Sequence, residues 1–240
     1  MAFFKKFRDA QRPCCAALVA AAGSSSRMGG VNKLLQPLDG IPVLARTLTA
    51  LQMARRIDEI VVAAREEDFL EISQLCRTYG ITKCTKVIRG GESRAHSVLL
   101  AALEAGEGME LLAVQDGARP LVTPELIDDV AEQAARCGAA APAVAVKDTI
   151  KVAQAGVVQS TPDRGQLFAV QTPQVFDRAL LQEALGQAAA EGLSLTDDCA
   201  AVERLGRPVY LTRGSEDNLK ITTPRDLTWG QAILAERMGR

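Results

Sequence analysis

Five basic residues fall where apolar runs give way to loops: Arg27, Lys33, Arg119, Arg164 and Lys220. The chain as a whole has a formal net charge of −1. Its cations therefore have local work to do, and broad attraction to nucleic acid or to a membrane surface is not indicated. Arg27 and Lys33 belong to a loop of small residues, AAGSSSRMGGVNK, that follows an apolar run from Ala16. Backbone N–H groups approach a phosphate closely where no large side chain covers them, and neighbouring cations supply counter-charge. The loop lacks both the dinucleotide G-x-G-x-x-G spacing and the Gly-Lys-Ser/Thr ending of a P-loop. Phosphoryl or nucleotidyl transfer suits this inventory. When the attacking group is already an ionised phosphate, no protein nucleophile is needed, and catalysis reduces to in-line positioning and charge stabilisation. Asp116, in Gln115-Asp116-Gly117-Ala118-Arg119-Pro120, puts a carboxylate at the end of an apolar run. It suits a Mg²⁺ ion or a sugar hydroxyl, with helix capping as the plainer alternative. Capping and function stay equally open for Asp197 and Asp198. His96 is the only histidine and no G-x-S-x-G elbow occurs, which argues against a Ser-His-Asp system. No cluster has zinc-ligand spacing.

These residues need a frame, and the hydrophobic pattern supplies one. With 48% hydrophobic and 24% charged residues over 240 positions, the chain is globular and long enough for a sizeable core. Short apolar or β-branched runs at Ala16–Ala20, Glu59–Ala63, Thr85–Ile88 and Leu111–Val114 alternate with helical patterns. Ile41, Leu44, Leu48 and Leu51 share one helical face; Glu66–Tyr79 and Ser93–Ala105 read as further helices, and Thr123-Pro124 as a helix start. The alternation predicts an α/β fold with a doubly wound, mostly parallel sheet, whose ligands bind beyond the carboxyl ends of the strands. After Gly138 the pattern becomes strand-rich. Thr149–Ala153 and Val157–Thr161 are predicted to form a hairpin within a protruding arm at about 146–166, and its exposed Ile150, Val152, Val157 and Val158 call for a partner. Helices follow from about Asp177 and near Asp197, then a strand at Val209–Thr212 and a last helix at Thr223-Pro224. The organisation expected is an N-terminal extension over 1–13 and one domain over 14–240. The extension is basic and aromatic without the long apolar stretch of a signal peptide, and no window resembles a membrane span. Six cysteines without a CxxC pair read as reduced thiols in a cytoplasmic protein.

The ordered set AAGSSSRMGGVNK, GGESRAHSV, QDGARP, VKDTIK, DRGQLFAVQTPQVF, TDD and NLKITTPRDL resembles the 2-C-methyl-D-erythritol 4-phosphate cytidylyltransferases over about Ala16 to Ile233. The opening loop is shared with many nucleotidyltransferases; the later motifs in this order are far more specific. The resemblance implies a Rossmann-like nucleotidyltransferase of the nucleotide-diphospho-sugar transferase type, working as a homodimer through the hairpin arm. Its substrates would be CTP and a polyol phosphate, with Mg²⁺. Carried over by motif, Arg27 and Lys33 stabilise charge on the CTP phosphates, while Arg164 and Lys220 position the attacking phosphate. Ala21, Ala22, Gly23, Gly91, Glu92 and Ser97 frame cytosine and ribose, beside Asp116 and Gly117. Asp116, Arg119, Thr149, Thr172 and Thr196 lie towards the polyol, with Asp116 also the candidate metal ligand. Ser24-Ser25-Ser26 stands where many members carry glycine and a further basic residue, and Glu92 where aspartate is common. Ribitol-5-phosphate cytidylyltransferases share most of these motifs but more often read D-A-V-R-P where this chain has Asp116-Gly117-Ala118-Arg119-Pro120. A non-catalytic nucleotide-binding scaffold would have no need of four convergent cations.

Overall fold

The structure, a computed structural model, describes residues 12–23 and 32–239. Arg27, the serine run and the first eleven residues lie outside the described residues. Strand β1 (Cys15–Ala21) is the centre of an eight-stranded sheet. It pairs in parallel with β4 (Glu59–Ala64) on one side and β6 (Leu111–Asp116) on the other. Alternate β1 residues serve two cores. Ala17, Val19 and Ala21 pack with Leu44, Leu48, Ile72 and Ile127 on one face, and Ala16 and Leu18 with Val98, Phe176, Leu181 and Val202 on the other. Both faces are covered, so the strand reads as an unbroken apolar run rather than an alternating one.

Between β1 and β4 lie a small antiparallel pair, β2 (Pro37–Leu38) and β3 (Ile41–Pro42), and helix α1 (Val43–Met53). The predicted helix at Glu66–Tyr79 is instead a 3₁₀ turn over Glu66–Asp68 leading into α2 (Phe69–Thr78). The Asp68 carboxylate accepts from Arg65 Nε at 2.8 Å and from Asn32 Nδ2 at 2.9 Å, tying this turn to the residues beside Lys33. Edge strand β5 (Cys84–Arg89) runs parallel to β4 and leads to α3 (Arg94–Glu104). Ser93 caps α3 by accepting the His96 N–H at 3.0 Å. Helix α4 (Pro124–Cys137) starts at Thr123-Pro124 as read from sequence and ends at Gly138, whose φ of 84° needs glycine's freedom.

The rest is more irregular. Strand β7 (Ala139–Ala145) precedes the hairpin of β8 (Val152–Gln154) and β9 (Val157–Ser160), which is shorter than the sequence predicts and leaves Thr149 outside the pairing. Ala155 and Gly156 both have positive φ, the two-residue turn whose twist matches a hairpin. Every residue of β8 and β9 is exposed. The chain returns through β10 (Phe168–Val170), antiparallel to β7, and then β11 (Gln174–Asp177), wedged antiparallel between β6 and β7. Helices α5 (Arg178–Ala190) and α6 (Asp198–Arg204) cover one face. Strand β12 (Tyr210–Arg213) joins β7 in parallel, and α7 (Pro224–Arg237) closes the described chain. Four of the sheet's seven pairings are parallel. No helix among the described residues is long and apolar enough to cross a membrane.

Candidate active site

A cavity of about 330 Å³ opens beyond the carboxyl ends of β1, β5 and β6, where open α/β sheets bind ligands. One wall is the main chain of Ala20 to Gly23 as it leaves β1; Lys33 and Leu34 enter where the loop returns. The opposite wall is Gly91 to Arg94 with Ser97. Ser97 is buried and fixes this wall: its hydroxyl accepts the Gly91 N–H at 3.0 Å and donates to Ser93 O at 2.8 Å. Close approach explains a glycine here. A Cβ on Gly90 would lie 2.4 Å from Ala22 Cβ, so any side chain would force the two walls apart.

The floor is charged. Asp116 ends β6 with its backbone N–H donated to the buried Thr172 hydroxyl at 3.1 Å. Its carboxylate meets three cations: Lys220 Nζ at 2.8 Å, Arg94 Nε at 3.3 Å and Arg119 Nε at 3.5 Å. Burial pushes the Asp116 pKa up, but Arg94, Lys220 and Arg119 outweigh it and hold it down at about 2. Burial likewise works against the Arg94 charge, and Asp198 and Asp116 together outweigh it. For Arg119 burial prevails over Asp116, and its pKa is lowered.

Lys220 is aimed by its backbone. Asn218 is fully enclosed and donates to Thr172 O at 3.0 Å, while its own carbonyl accepts from Arg119 Nη1 at 2.6 Å. The Ile221 N–H donates to Ala118 O at 2.8 Å. The segment Asn218–Ile221 is thus stitched to the Asp116 loop on both sides of Lys220. Gly117 faces away from the cavity; a Cβ there would meet Ala20 O and Leu44 at 3.2 Å.

Lys33, Lys220, Asp116, Ala21, Ala22, Gly23, Gly91, Glu92 and Ser97 therefore line one cavity. Arg119 and Thr172 stand behind it as supports of Asp116. Three residues stand apart within a single chain. Thr149 is exposed ahead of the hairpin, and the exposed Arg164 donates to Lys147 O at 2.7 Å. Thr196 lines a shallow surface depression with Leu193, Glu203 and Arg204. Arg27 lies outside the described residues. Sequence reasoning passed over Arg94, although it sits inside GGESRAHSV. The available signal was its position: a cation at the first residue of a helix opposes the helix dipole and so calls for another purpose.

The family model for 2-C-methyl-D-erythritol 4-phosphate cytidylyltransferase matches residues 15–236. A relative of that name from Microcystis aeruginosa is 44% identical over 92% of this chain and 99% of its own. One from Geobacillus kaustophilus is 42% identical over 92% and 97%. The solved structure of 4-diphosphocytidyl-2C-methyl-D-erythritol synthase from Anaerococcus prevotii superposes with a TM-score of 0.83 at 28% identity, covering 93% of this chain and 96% of that one. The ordered motifs, the sheet with its cavity and these likenesses agree: the chain belongs to the 2-C-methyl-D-erythritol 4-phosphate cytidylyltransferase family.

Proposed function

We propose that this protein transfers CMP from CTP to 2-C-methyl-D-erythritol 4-phosphate, in isoprenoid precursor biosynthesis. A phosphate oxygen of the polyol attacks the α-phosphorus of CTP, the bond from that phosphorus to the β-phosphate oxygen breaks, and pyrophosphate leaves. The product is 4-diphosphocytidyl-2-C-methyl-D-erythritol. The observation carrying this assignment is the convergence of Lys33 and Lys220 on one cavity walled by small residues and backbone. Lys33, with Arg27 from the same loop, stabilises the charge that builds on the departing phosphates. Lys220 holds the attacking phosphate, and Asp116 keeps Lys220 in place until substrate arrives. Gly91, Glu92 and Ser97 frame the base opposite Ala21 to Gly23, and Asp116 flanks the ribose.

The Asp116 carboxylate is a poor resident metal site. Its two oxygens already face Arg94, Arg119 and Lys220, and among the described residues no group of three or more His, Cys, Asp or Glu is placed to hold a metal ion. The Mg²⁺ implied by the family resemblance is better carried by the CTP triphosphate itself, as part of the substrate. The test is pyrophosphate release by purified protein given CTP, Mg²⁺ and either polyol phosphate. Release with methylerythritol phosphate and not with ribitol 5-phosphate is expected; the reverse overturns the substrate, and silence with both overturns the activity.

The working unit in this proposal is a homodimer, with residues 14–240 as one catalytic domain per chain. Val152, Val157, Val158, Phe168, Tyr210 and Leu211 are each about half exposed or more, and this apolar surface on the arm, β10 and β12 suits a partner. Pairing the arms would cover it and carry Thr149 and Arg164 towards the partner's substrate. Sedimentation at micromolar concentration is expected to give a dimer, and a monomer there refutes the arrangement. The six unpaired cysteines support a cytoplasmic location.

A further inference from the structure

Asp198 is wholly buried at the start of α6, and helix capping does not account for it. Asp197 makes the cap, accepting the Ala200 N–H at 2.9 Å. The free amides of Asp198 and Cys199 both go to Gln174 Oε1, at 3.0 and 3.1 Å. The amides of Asp198, Cys199 and Ala200 are thus all met without the Asp198 carboxylate. Its Oδ2 accepts from Arg94 Nη1 at 2.7 Å, and its Oδ1 has no hydrogen-bond partner among the described residues. Burying a carboxylate on such terms is unfavourable for the fold alone. Arg94 is ill placed for helix stability, being a cation in the first turn of α3. A buried carboxylate with one oxygen unpartnered and a cation opposed to its helix dipole thus meet at the cavity wall.

The geometry connects them to Lys220. Arg94 reaches both carboxylates, Asp198 through Nη1 and Asp116 through Nε. It thereby occupies Asp116 Oδ1, and Asp116 Oδ2 is left to face Lys220 and Arg119. We propose that Asp198 and Arg94 are positioning residues for the transfer reaction: Asp198 holds the Arg94 guanidinium back, so that Asp116 presents Oδ2 to Lys220. The inference rests on the cytidylyl-transfer function proposed for this cavity. Without the buried carboxylate, Arg94 turns fully onto Asp116, takes both oxygens as a fork, and displaces Lys220 from its station for the attacking phosphate.

The variants Asp198→Asn, Arg94→Gln, their combination and Arg94→Lys test this, with kcat measured at saturating CTP and polyol phosphate below each melting temperature. Asp198→Asn is expected to lower kcat at least about tenfold, and to add less than about twofold once Arg94 is glutamine, because it acts through Arg94. Arg94→Lys keeps the charge but not the two-sided reach, and should recover little of what Arg94→Gln loses. It keeps the buried Asp198 carboxylate and a cation beside it, so it carries the test if Asp198→Asn does not fold. A lowered melting temperature with unchanged kcat, or losses that simply multiply, would assign the pair to stability alone. Full activity of Arg94→Lys overturns the proposal as well. A crystal structure of Asp198→Asn reads the geometry even if the wild-type protein proves inactive on this substrate pair. Lys220 Nζ is expected beyond hydrogen-bond reach of Asp116 Oδ2, and an unchanged contact refutes the idea independently of the proposed function.

Discussion

Replacing Lys33 by alanine is expected to lower kcat by about 10²–10⁴-fold while leaving the protein folded. Charge on the α-, β- and γ-phosphates grows and shifts as pyrophosphate departs, and a fixed cation at the mouth of the cavity stabilises that state more than bound CTP. The signature is therefore a parallel fall in kcat and kcat/KM, with a smaller change in KM for CTP. The fold should tolerate the change because the turn around Lys33 is held by other groups. Asn32 donates to Asp68, the Leu35 N–H to Asn32 O, and the Leu44 N–H to Leu34 O. Unfolding free energy should shift by no more than about 1 kcal/mol. Steady-state pyrophosphate release paired with a thermal melt decides the matter. Near-normal turnover would remove Lys33 from the chemistry, and a collapsed melt would make its role structural.

The largest stability effect is expected at Asp116. Asp116→Ala removes the one carboxylate shared by Arg94, Arg119 and Lys220, and Arg119 is only 11% exposed. Uncompensated buried charge costs about 3–5 kcal/mol, which for a chain of this size lowers the melting temperature by roughly 10 °C. The acid response supplies a second handle. The Asp116 pKa falls from its ordinary 3.8 to about 2 on folding. A depressed carboxylate stabilises the fold fully above its unfolded value and loses that contribution as pH falls through its folded value. The contribution, about 2 kcal/mol, should therefore fade between about pH 4 and pH 2. Burial raises the Asp198 pKa and gives a term of opposite sign. The quantity to follow is thus the wild-type curve minus the Asp116→Ala curve in urea unfolding, where contributions from groups remote from Asp116 cancel and the burial of Asp198 is common to both. A difference that stays constant from pH 6 to pH 2.5 would contradict the assignment, and equal midpoints at pH 6 would show that the three cations do not need Asp116.

Much of this site could be read from residue types because its parts are local. The small-residue exit from β1, the Ser93 cap, the Asp116 strand end and the Thr123-Pro124 helix start each declare themselves within a few residues. What stayed hidden depends on contacts far apart in the chain. Arg94 and Asp198 are 104 positions apart, and neither helix pattern shows that they meet. Strand β11 has only four residues, and its burial between β6 and β7 depends on partners that no local period reveals. Arg164 illustrates the reverse: its motif links it to the cavity, while a single chain leaves it on the surface. The hairpin came out shorter than its β-branched run because exposed strands on a lone arm gain little from burial beyond the turn.

The way the chain enters and leaves the arm has a consequence for how such proteins can change. Ala145 and Phe168 are direct partners in the β7–β10 pairing, and the Val146 N–H donates to Leu167 O at 3.1 Å. Departure and return are therefore neighbours, closed off by the sheet before the excursion begins. Everything from about 147 to 166 is a detachable cassette whose length costs the rest of the molecule little beyond loop entropy, which grows only slowly with length. Insertions, deletions and even a replacement arm can accumulate there without shifting the register of a single sheet strand. The contacts of the arm are free to diversify in evolution while the floor of the cavity stays put.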